Sequence, residues 1–389
     1  MRLSEHFSDL SENYLFSDIS KKLADYKRNH PFEKVIRMDI GDVTRPLPAV
    51  ISDAMKLAAE ETANKSTFRG YSNEHGYDYL RTAIADYYKR YNVNLDKSEI
   101  SVSDGAKSDL YAIPDMFASG VKVLIPDPSY PVYADSNIIK GNKIYRLPTL
   151  KENGFTPIPP DFPCDLVYLC SPSNPTGEAY SKETLKKWVE YAYKFDAVII
   201  FDAAYSSYIS DPDCPHSIYE IDGADKCAIE VCSFSKNFGF TGIRCGYTVI
   251  PRKTGLLPVW NRIKSIRSNG VSYITQRGAE SALTDIGISK SNKNIEYYKD
   301  GAKLICDTLS KLGIKYYGGE NSPYVFFECP ENESSISFFD KLLQNCRIIS
   351  TPGIGFGKCG EGMIRLSAFA SHSDICEAMD ALCTFCNTL

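Results

Sequence analysis

Ser233-Phe234-Ser235-Lys236, followed by Gly239-Phe240-Thr241-Gly242-Ile243-Arg244, packs two hydroxyls, an amine, glycines and a guanidinium into one short stretch. The residues just upstream, Cys227 to Cys232 (CAIEVC), read as a short buried strand, so this chemistry sits at a strand end. Hydroxyls, backbone N–H groups and a fixed cation are what a phosphate monoester needs around it. A lysine in the same turn is a nucleophile able to form a Schiff base with an aldehyde. Pyridoxal 5′-phosphate (PLP) carries both groups. Composition alone would leave Lys236 a solvated loop lysine, as most lysines are; the neighbouring strand ends decide otherwise.

In an open parallel sheet, ligands bind beyond the carboxyl ends of the strands. A strand at 100–103 runs into Asp104-Gly105-Ala106-Lys107, which opens a helix whose N–H groups attract an anion; the same residues also make an ordinary capped glycine turn. A strand at 121–125 ends at Pro126-Asp127-Pro128-Ser129-Tyr130-Pro131. Tyr130, held between prolines, suits stacking on a flat heterocycle and equally suits a buried turn. A strand at 166–170 leads to Ser171-Pro172-Ser173-Asn174-Pro175-Thr176-Gly177, where the following proline keeps Asn174 out of helical geometry. A strand at 198–202 ends in Asp202-Ala203-Ala204-Tyr205. Burying Asp202 is costly without a cationic partner, and a protonated pyridine nitrogen would be one; capping the next helix is the alternative. Each signal is modest, but all fall at successive strand ends.

The elements that must position these groups alternate along the chain. Strands at 100–103, 121–125, 143–146, 166–170, 198–202 and 228–232 are separated by helices near 105–118, 131–140, 182–194 and 215–221. Strands apolar on both faces predict a mostly parallel sheet covered by helices on both sides. Tyr247 to Ile250 reads as a further strand, open to an antiparallel course. Long helices are expected at 256–286, broken near Asn269-Gly270, and at 288–312. Beyond about 315 the pattern turns to strands (324–327, 363–367) among helices (336–345, 372–386), a smaller α+β unit. The division expected is an N-terminal arm with part of the small domain (1–45), a large PLP-binding domain (46–285) and a C-terminal small domain (286–389).

The 389 residues carry 44 Lys+Arg against 49 Asp+Glu, a net charge of −5. That balance, with no basic tract or nucleic-acid motif, points away from nucleic acid and from acidic membranes. With no signal-peptide core and no long apolar window, a cytoplasmic location is expected. Thirteen irregularly spaced cysteines read as reduced thiols. Cys383 and Cys386 fit an amphipathic helix face with Ile375, Met379 and Leu382, and the five histidines show no ligand spacing, so no metal is expected.

The order SNPTG, D-x-x-Y, S-x-S-K and then arginine resembles the fold-type I PLP-dependent aminotransferases over nearly the whole chain. Asn13-Tyr14-Leu15-Phe16, Ile40-Gly41-Asp42-Val43-Thr44-Arg45-Pro46-Leu47-Pro48, Phe68-Arg69-Gly70-Tyr71 with His75-Gly76-Tyr77, and Ile364-Arg365-Leu366-Ser367-Ala368-Phe369 resemble the LL-diaminopimelate subfamily more narrowly. The resemblance implies Lys236 as Schiff-base lysine and proton shuttle, with Asp202 on the pyridinium and Asn174 and Tyr205 on the ring hydroxyl. Tyr130 would stack on the ring. Ala106, Lys107, Ser233, Ser235 and Arg244 would hold the phosphate, with Tyr71 reaching it from the other subunit of a homodimer. Arg365 would clamp the substrate α-carboxylate with a bidentate contact. Tyr14, Gly41, Lys107, Tyr130, Asn174, Asn269 and Glu74 are the remaining implied substrate contacts.

The implied reaction is amino transfer between LL-2,6-diaminopimelate and 2-oxoglutarate, giving tetrahydrodipicolinate and glutamate when run in the lysine-forming direction. General aspartate or aromatic transamination is the alternative, and a PLP-dependent β-lyase step a further one. A PLP-sensing regulator would need a DNA-binding module ahead of this domain, and the residues before Asn13 are too few for that. Departures from the subfamily pattern are the bulky Asn237-Phe238 after the lysine, a short span between Tyr130 and Asn174, and Ile354 and Lys358 in the turn before Arg365. That glycine-rich turn reads as a flexible loop and not as a nucleotide fingerprint.

Overall fold

The computed structural model describes residues 5–10, 15–331 and 333–387. The chain opens with helices α1 (Leu15–Asn29), α2 (Ala49–Thr62) and α3 (Asp78–Tyr88), with the two-residue strand β1 (Ile36–Arg37) after the first. The strand–helix alternation then follows: β2 (Ile100–Ser103), α4 (Ala106–Ala112), β3 (Lys122–Asp127), α5 (Val132–Ile139), β4 (Lys143–Pro148) and β5 (Leu166–Cys170). It continues through α6 (Lys182–Phe195), β6 (Val198–Asp202), β7 (Ala228–Ser233), the single turn α7 (Phe234–Asn237) and β8 (Gly246–Val249).

These seven strands form one sheet in the order β2-β8-β7-β6-β5-β3-β4. β8 is antiparallel to both neighbours and every other pairing is parallel. Alternate residues of a strand face opposite sides, and each side meets its own helix layer. Leu169, Ile199 and Phe201 pack with Leu80 and Ile84 of α3 and Trp188 of α6. Tyr168, Ile200 and Ile229 pack with Leu110 of α4, Tyr133 of α5 and Trp260 of the later helix at 257–267. Ser181 starts α6 by accepting from the Thr184 N–H at 3.2 Å, and the stripe Leu185, Trp188, Val189 and Ala192 is buried.

After the sheet come α8 (Leu257–Arg267), α9 (Tyr273–Ala282) and α10 (Asp285–Lys311), with the break at Asn269-Gly270 where the sequence puts it. A second, antiparallel sheet has the order β12-β13-β10-β9, from β9 (Tyr316–Gly318), β10 (Tyr324–Glu328), β12 (Thr351–Pro352) and β13 (Met363–Ser367). Helices α11 (Ser335–Cys346) and α12 (His372–Cys386) cover it, and β11 (Ile348–Ile349) pairs in parallel with β1. Ile19, Leu23, Ile36 and Met38 join this core beside Phe327, Leu342 and Ile375.

One expected helix fails. Residues 215–221 form only a single 3₁₀ turn, Ile218–Glu220. Ser217 and Glu220 close a capping box around that turn, and Ser217 Oγ also donates to the buried Glu230 carboxylate at 2.7 Å. These local bonds satisfy the backbone without a longer helix.

Candidate active site

The carboxyl ends of β2, β3, β5, β6 and β7, with the inner strands β10 and β13 of the second sheet, line a cavity of about 420 Å³. Gly41, Ala106, Lys107, Tyr130, Asn174, Asp202, Tyr205, Ser233, Ser235, Lys236, Arg244 and Arg365 all line it. At one end, β7 terminates in Ser233, whose Oγ caps α7 by accepting from the Ser235 N–H at 3.1 Å. Phe234 and Phe240 lock that turn into the main core. Neither of the bulky Asn237 and Phe238 lines the cavity, and Phe238 packs against Tyr87 and Phe234. Extra bulk after the lysine therefore serves the core and leaves the cavity open.

Arg244 sits in the left-handed region at φ +70°, which costs a non-glycine residue about 1–2 kcal/mol. The strained backbone turns its guanidinium back over the site, where Nη1 donates to Thr241 O at 2.9 Å and to Ser235 Oγ at 3.4 Å. Gly105, at φ +136°, gives the guanidinium room, since a Cβ there would run into it. Hydroxyls, a guanidinium and the first N–H groups of α4 thus converge at one end, a donor set matched to a phosphate monoester.

Asp202 closes the opposite end. Its Oδ2 accepts from Tyr133 OH at 2.7 Å and its Oδ1 from the Ala204 N–H at 3.0 Å. Burial pushes this carboxyl up to about 6, against the pull of those two hydrogen bonds. No cation among the described residues pairs with it, so a cationic ring nitrogen placed there would hold the carboxylate ionised. Tyr133 was missed in the sequence reading, although it lies three residues from Tyr130, whose ring meets it edge-on.

Lys236 lies between these ends and is half-buried. Burial lowers its amine to about 8; the Asp42 charge opposes the fall, while Arg244 and Arg365 add to it. Desolvation is the largest of these causes. The second sheet brings Arg365, 1% exposed, with Nη1 donating to Asn174 Oδ1 at 2.6 Å and Nη2 to Thr351 Oγ1 at 3.2 Å and to the Asp39 carbonyl. The rings of Tyr324 and Phe356 lie 4.4 Å and 5.0 Å from its guanidinium. Tyr205 and Tyr324 share a hydroxyl–hydroxyl bond of 2.7 Å. Tyr324 gave no local signal, because only the β10–β13 pairing carries it to the site. A side chain on Gly41 would strike the Tyr324 hydroxyl.

Three expected contacts do not line this cavity. Tyr71 is 89% exposed on the surface. Glu74 accepts from Ser265 Oγ at 2.9 Å, and the Asn269 carbonyl accepts from Ser72 Oγ at 3.4 Å. Neither residue lines this chain's cavity, because the 68–76 loop is tied to residues 265–271 on the outer surface. Tyr14 lies outside the described residues. The turn expected to be a flexible loop is pinned: the Lys358 and Cys359 N–H groups both donate to the Asp127 carboxylate.

With this geometry in place, comparison with known proteins is decisive: the model of the family "Aminotransferase class I and II" matches residues 33–384. The chain belongs to that family. It is 47% identical to an LL-diaminopimelate aminotransferase of Parabacteroides distasonis, over 98% of each chain. It is 48% identical to one of Phocaeicola vulgatus, over 97% of each. The solved L,L-diaminopimelate aminotransferase of Chlamydomonas reinhardtii superposes with a TM-score of 0.94 at 37% identity, covering 99% of this chain and 98% of that one. This aminotransferase gathers an amine, a carboxylate, hydroxyls and two guanidinium groups around one cavity. Among the described residues, no helix is long and apolar enough to cross a membrane.

Proposed function

We propose that this aminotransferase binds PLP in the 420 Å³ cavity and transfers an amino group between LL-2,6-diaminopimelate and 2-oxoglutarate. One observation carries the reading: an amine lowered by desolvation to about 8 and a buried carboxylate with no cationic partner among the described residues share one cavity with Ser233, Ser235 and Arg244. When bound, PLP supplies a ring that accepts the electrons left as the substrate Cα–H bond breaks.

The chain supplies the rest. Ser233, Ser235, Arg244 and the N–H groups of Ala106 and Lys107 hold the phosphate; Tyr130 lies against the ring; and Asn174 and Tyr205 reach its hydroxyl. Asp202 meets the ring nitrogen, and Tyr133 fixes which carboxylate oxygen does so. Lys236 Nζ, about half neutral at pH 8, takes the proton from the substrate Cα as general base. Arg365 receives the α-carboxylate, and Gly41, Lys107, Tyr130 and Asn174 line the substrate's path. The extended likeness to LL-diaminopimelate aminotransferases supports a long diamino dicarboxylic substrate.

Tyr71, Phe68 and Ile266 are strongly exposed apolar side chains on one surface. We take that surface as the homodimer contact, with Tyr71 reaching the partner's phosphate and Glu74 and Asn269 carried beside it toward the partner's substrate. The division into 1–45, 46–285 and 286–389 and a cytoplasmic location belong to the same proposal. The test is steady-state turnover of LL-diaminopimelate with 2-oxoglutarate, measured as glutamate formed, beside aspartate and phenylalanine. Preference for the diamino acid is expected. Turnover confined to aspartate or aromatic donors, or release of ammonia and a 2-oxo acid without an acceptor, would overturn it.

A further inference from the structure

The cavity contacts leave one buried charge unexplained. Asp127 ends β3, is 4% exposed and has no cationic partner among the described residues. It does not line the cavity. Its Oδ1 accepts from the Cys359 N–H at 3.0 Å and its Oδ2 from the Lys358 N–H at 3.2 Å. Next along the chain, the Ser129 N–H donates to the Phe356 carbonyl at 2.9 Å. The Asp127 backbone is fixed from its other side, because its carbonyl accepts from both the N–H and the Oγ1 of Thr149 at 2.9 Å. A carboxylate buried on two backbone N–H groups is a strong, directional fastening.

The fastening joins the two sheets. Residues 356–359 belong to the connection between β12 and β13 of the second sheet, while Asp127 belongs to the first. Gly357 lies against the carboxylate at φ +140°, where any Cβ would collide with Asp127. Phe356, just before it, has its ring 5.0 Å from the Arg365 guanidinium. Tyr130, which lines the cavity, lies three residues beyond Asp127. A single buried carboxylate therefore sets the second sheet's aromatic support for Arg365 against the strand end carrying Tyr130.

We propose that Asp127 is a positioning residue for substrate carboxylate recognition: through the 356–359 turn it holds Phe356 beneath Arg365 and so fixes where that guanidinium presents itself. The inference rests on the assignment of Arg365 as the carboxylate clamp. It separates binding from chemistry, since the turn meets Asp127 and the Arg365 guanidinium, the groups that place the carboxylate. An isosteric change at 127 should therefore weaken every ligand held by its carboxylate and spare the proton-transfer step and the cofactor.

The experiment uses the holoenzyme and succinate, a dicarboxylate with no amino or keto group to react, titrated calorimetrically. Kinetics with the amino donor and 2-oxoglutarate run alongside. Asp127→Asn keeps the size but turns one acceptor into a donor facing an N–H. It should raise the succinate Kd and both KM values about tenfold, the scale of a lost charge-assisted hydrogen bond. The kcat should stay within about twofold and the bound cofactor should be unchanged. Gly357→Ala, crowding the same carboxylate from the other side, should give the same split. Phe356→Leu should weaken succinate too, and adding Asp127→Asn to it should cost less than Asp127→Asn alone, because the two act in series.

A parental succinate Kd in Asp127→Asn, equal losses in kcat and cofactor, or full additivity with Phe356→Leu would overturn the proposal. So would variants that cannot be purified folded, since the contact would then serve folding and not recognition. If the parent protein itself neither transaminates nor binds succinate, it is the assignment of function that fails.

Discussion

An ordinary lysine amine titrates near 10.5, whereas the Lys236 amine is held at about 8, chiefly by burial. At pH 7.5 roughly a quarter of such an amine is neutral, against about one part in a thousand for an ordinary lysine. The difference is worth about 3 kcal/mol, and it has a sign in the stability of the cofactor-free chain. Between pH 8 and 10.5 the unfolded chain holds a proton on this lysine that the folded chain has released, so stability rises with pH through that window. Below pH 8 the full cost of the buried charge remains. Lys236→Met should stabilise the cofactor-free protein at pH 7 by up to about 3 kcal/mol and remove that pH dependence, as read by urea unfolding at pH 7 and 10. The amine's own titration is followed by reductive methylation at graded pH, with Lys236 quantified by peptide mass spectrometry. Its midpoint should fall near 8 in the parent. It should move lower in Asp42→Asn, which removes a charge favouring the protonated amine, and higher in Arg244→Gln, which removes one opposing it. A parental midpoint at or above 10, or an upward move in Asp42→Asn, would refute the reasoning.

Three further outcomes are expected. Tyr133→Phe removes the 2.7 Å donor to Asp202; a hydrogen bond to a charged group is worth about 1.5–3 kcal/mol. The variant should lose about tenfold or more in kcat and shift the acid limb of the pH–rate profile upward, because Asp202 protonates more readily. Gly105→Ala should push the Arg244 guanidinium aside and strain the backbone at φ +136°. Titration of the cofactor-free variant should then show weakened PLP binding with little change for pyridoxal, which lacks the phosphate. Arg365→Lys keeps a charge but loses the fork that bonds Asn174 and Thr351; KM for the amino donor should rise about ten- to a hundredfold, with a smaller effect on kcat.

Much of the site was legible because its residues stand at the ends of strands buried on both faces. The intervals 100–103, 166–170 and 198–202 match the structure residue for residue, and 228–232 falls one residue short of β7. Continuous apolar runs of that length leave little choice of conformation. What stayed hidden is non-local. Tyr324 and Phe356 reach the site only through the antiparallel pairing of the second sheet, and Asp127 looks like an ordinary turn aspartate until the 356–359 connection is seen against it. Strands β1, β11 and β12 span two residues each, too few for any periodicity to show. The helix expected at 215–221 failed because Ser217 and Glu220 answer the backbone locally. Tyr133 could have been found, since it lies in the first turn of the helix that directly follows Tyr130.

The most direct test of the central claim is the half-reaction. The PLP-loaded protein is given one equivalent of LL-diaminopimelate without any oxo acid, and its visible absorbance is followed. The band of the lysine-linked cofactor should bleach stoichiometrically and return on addition of 2-oxoglutarate, with one equivalent of glutamate formed. A band that persists with LL-diaminopimelate, or bleaching that 2-oxoglutarate does not reverse, would contradict that claim.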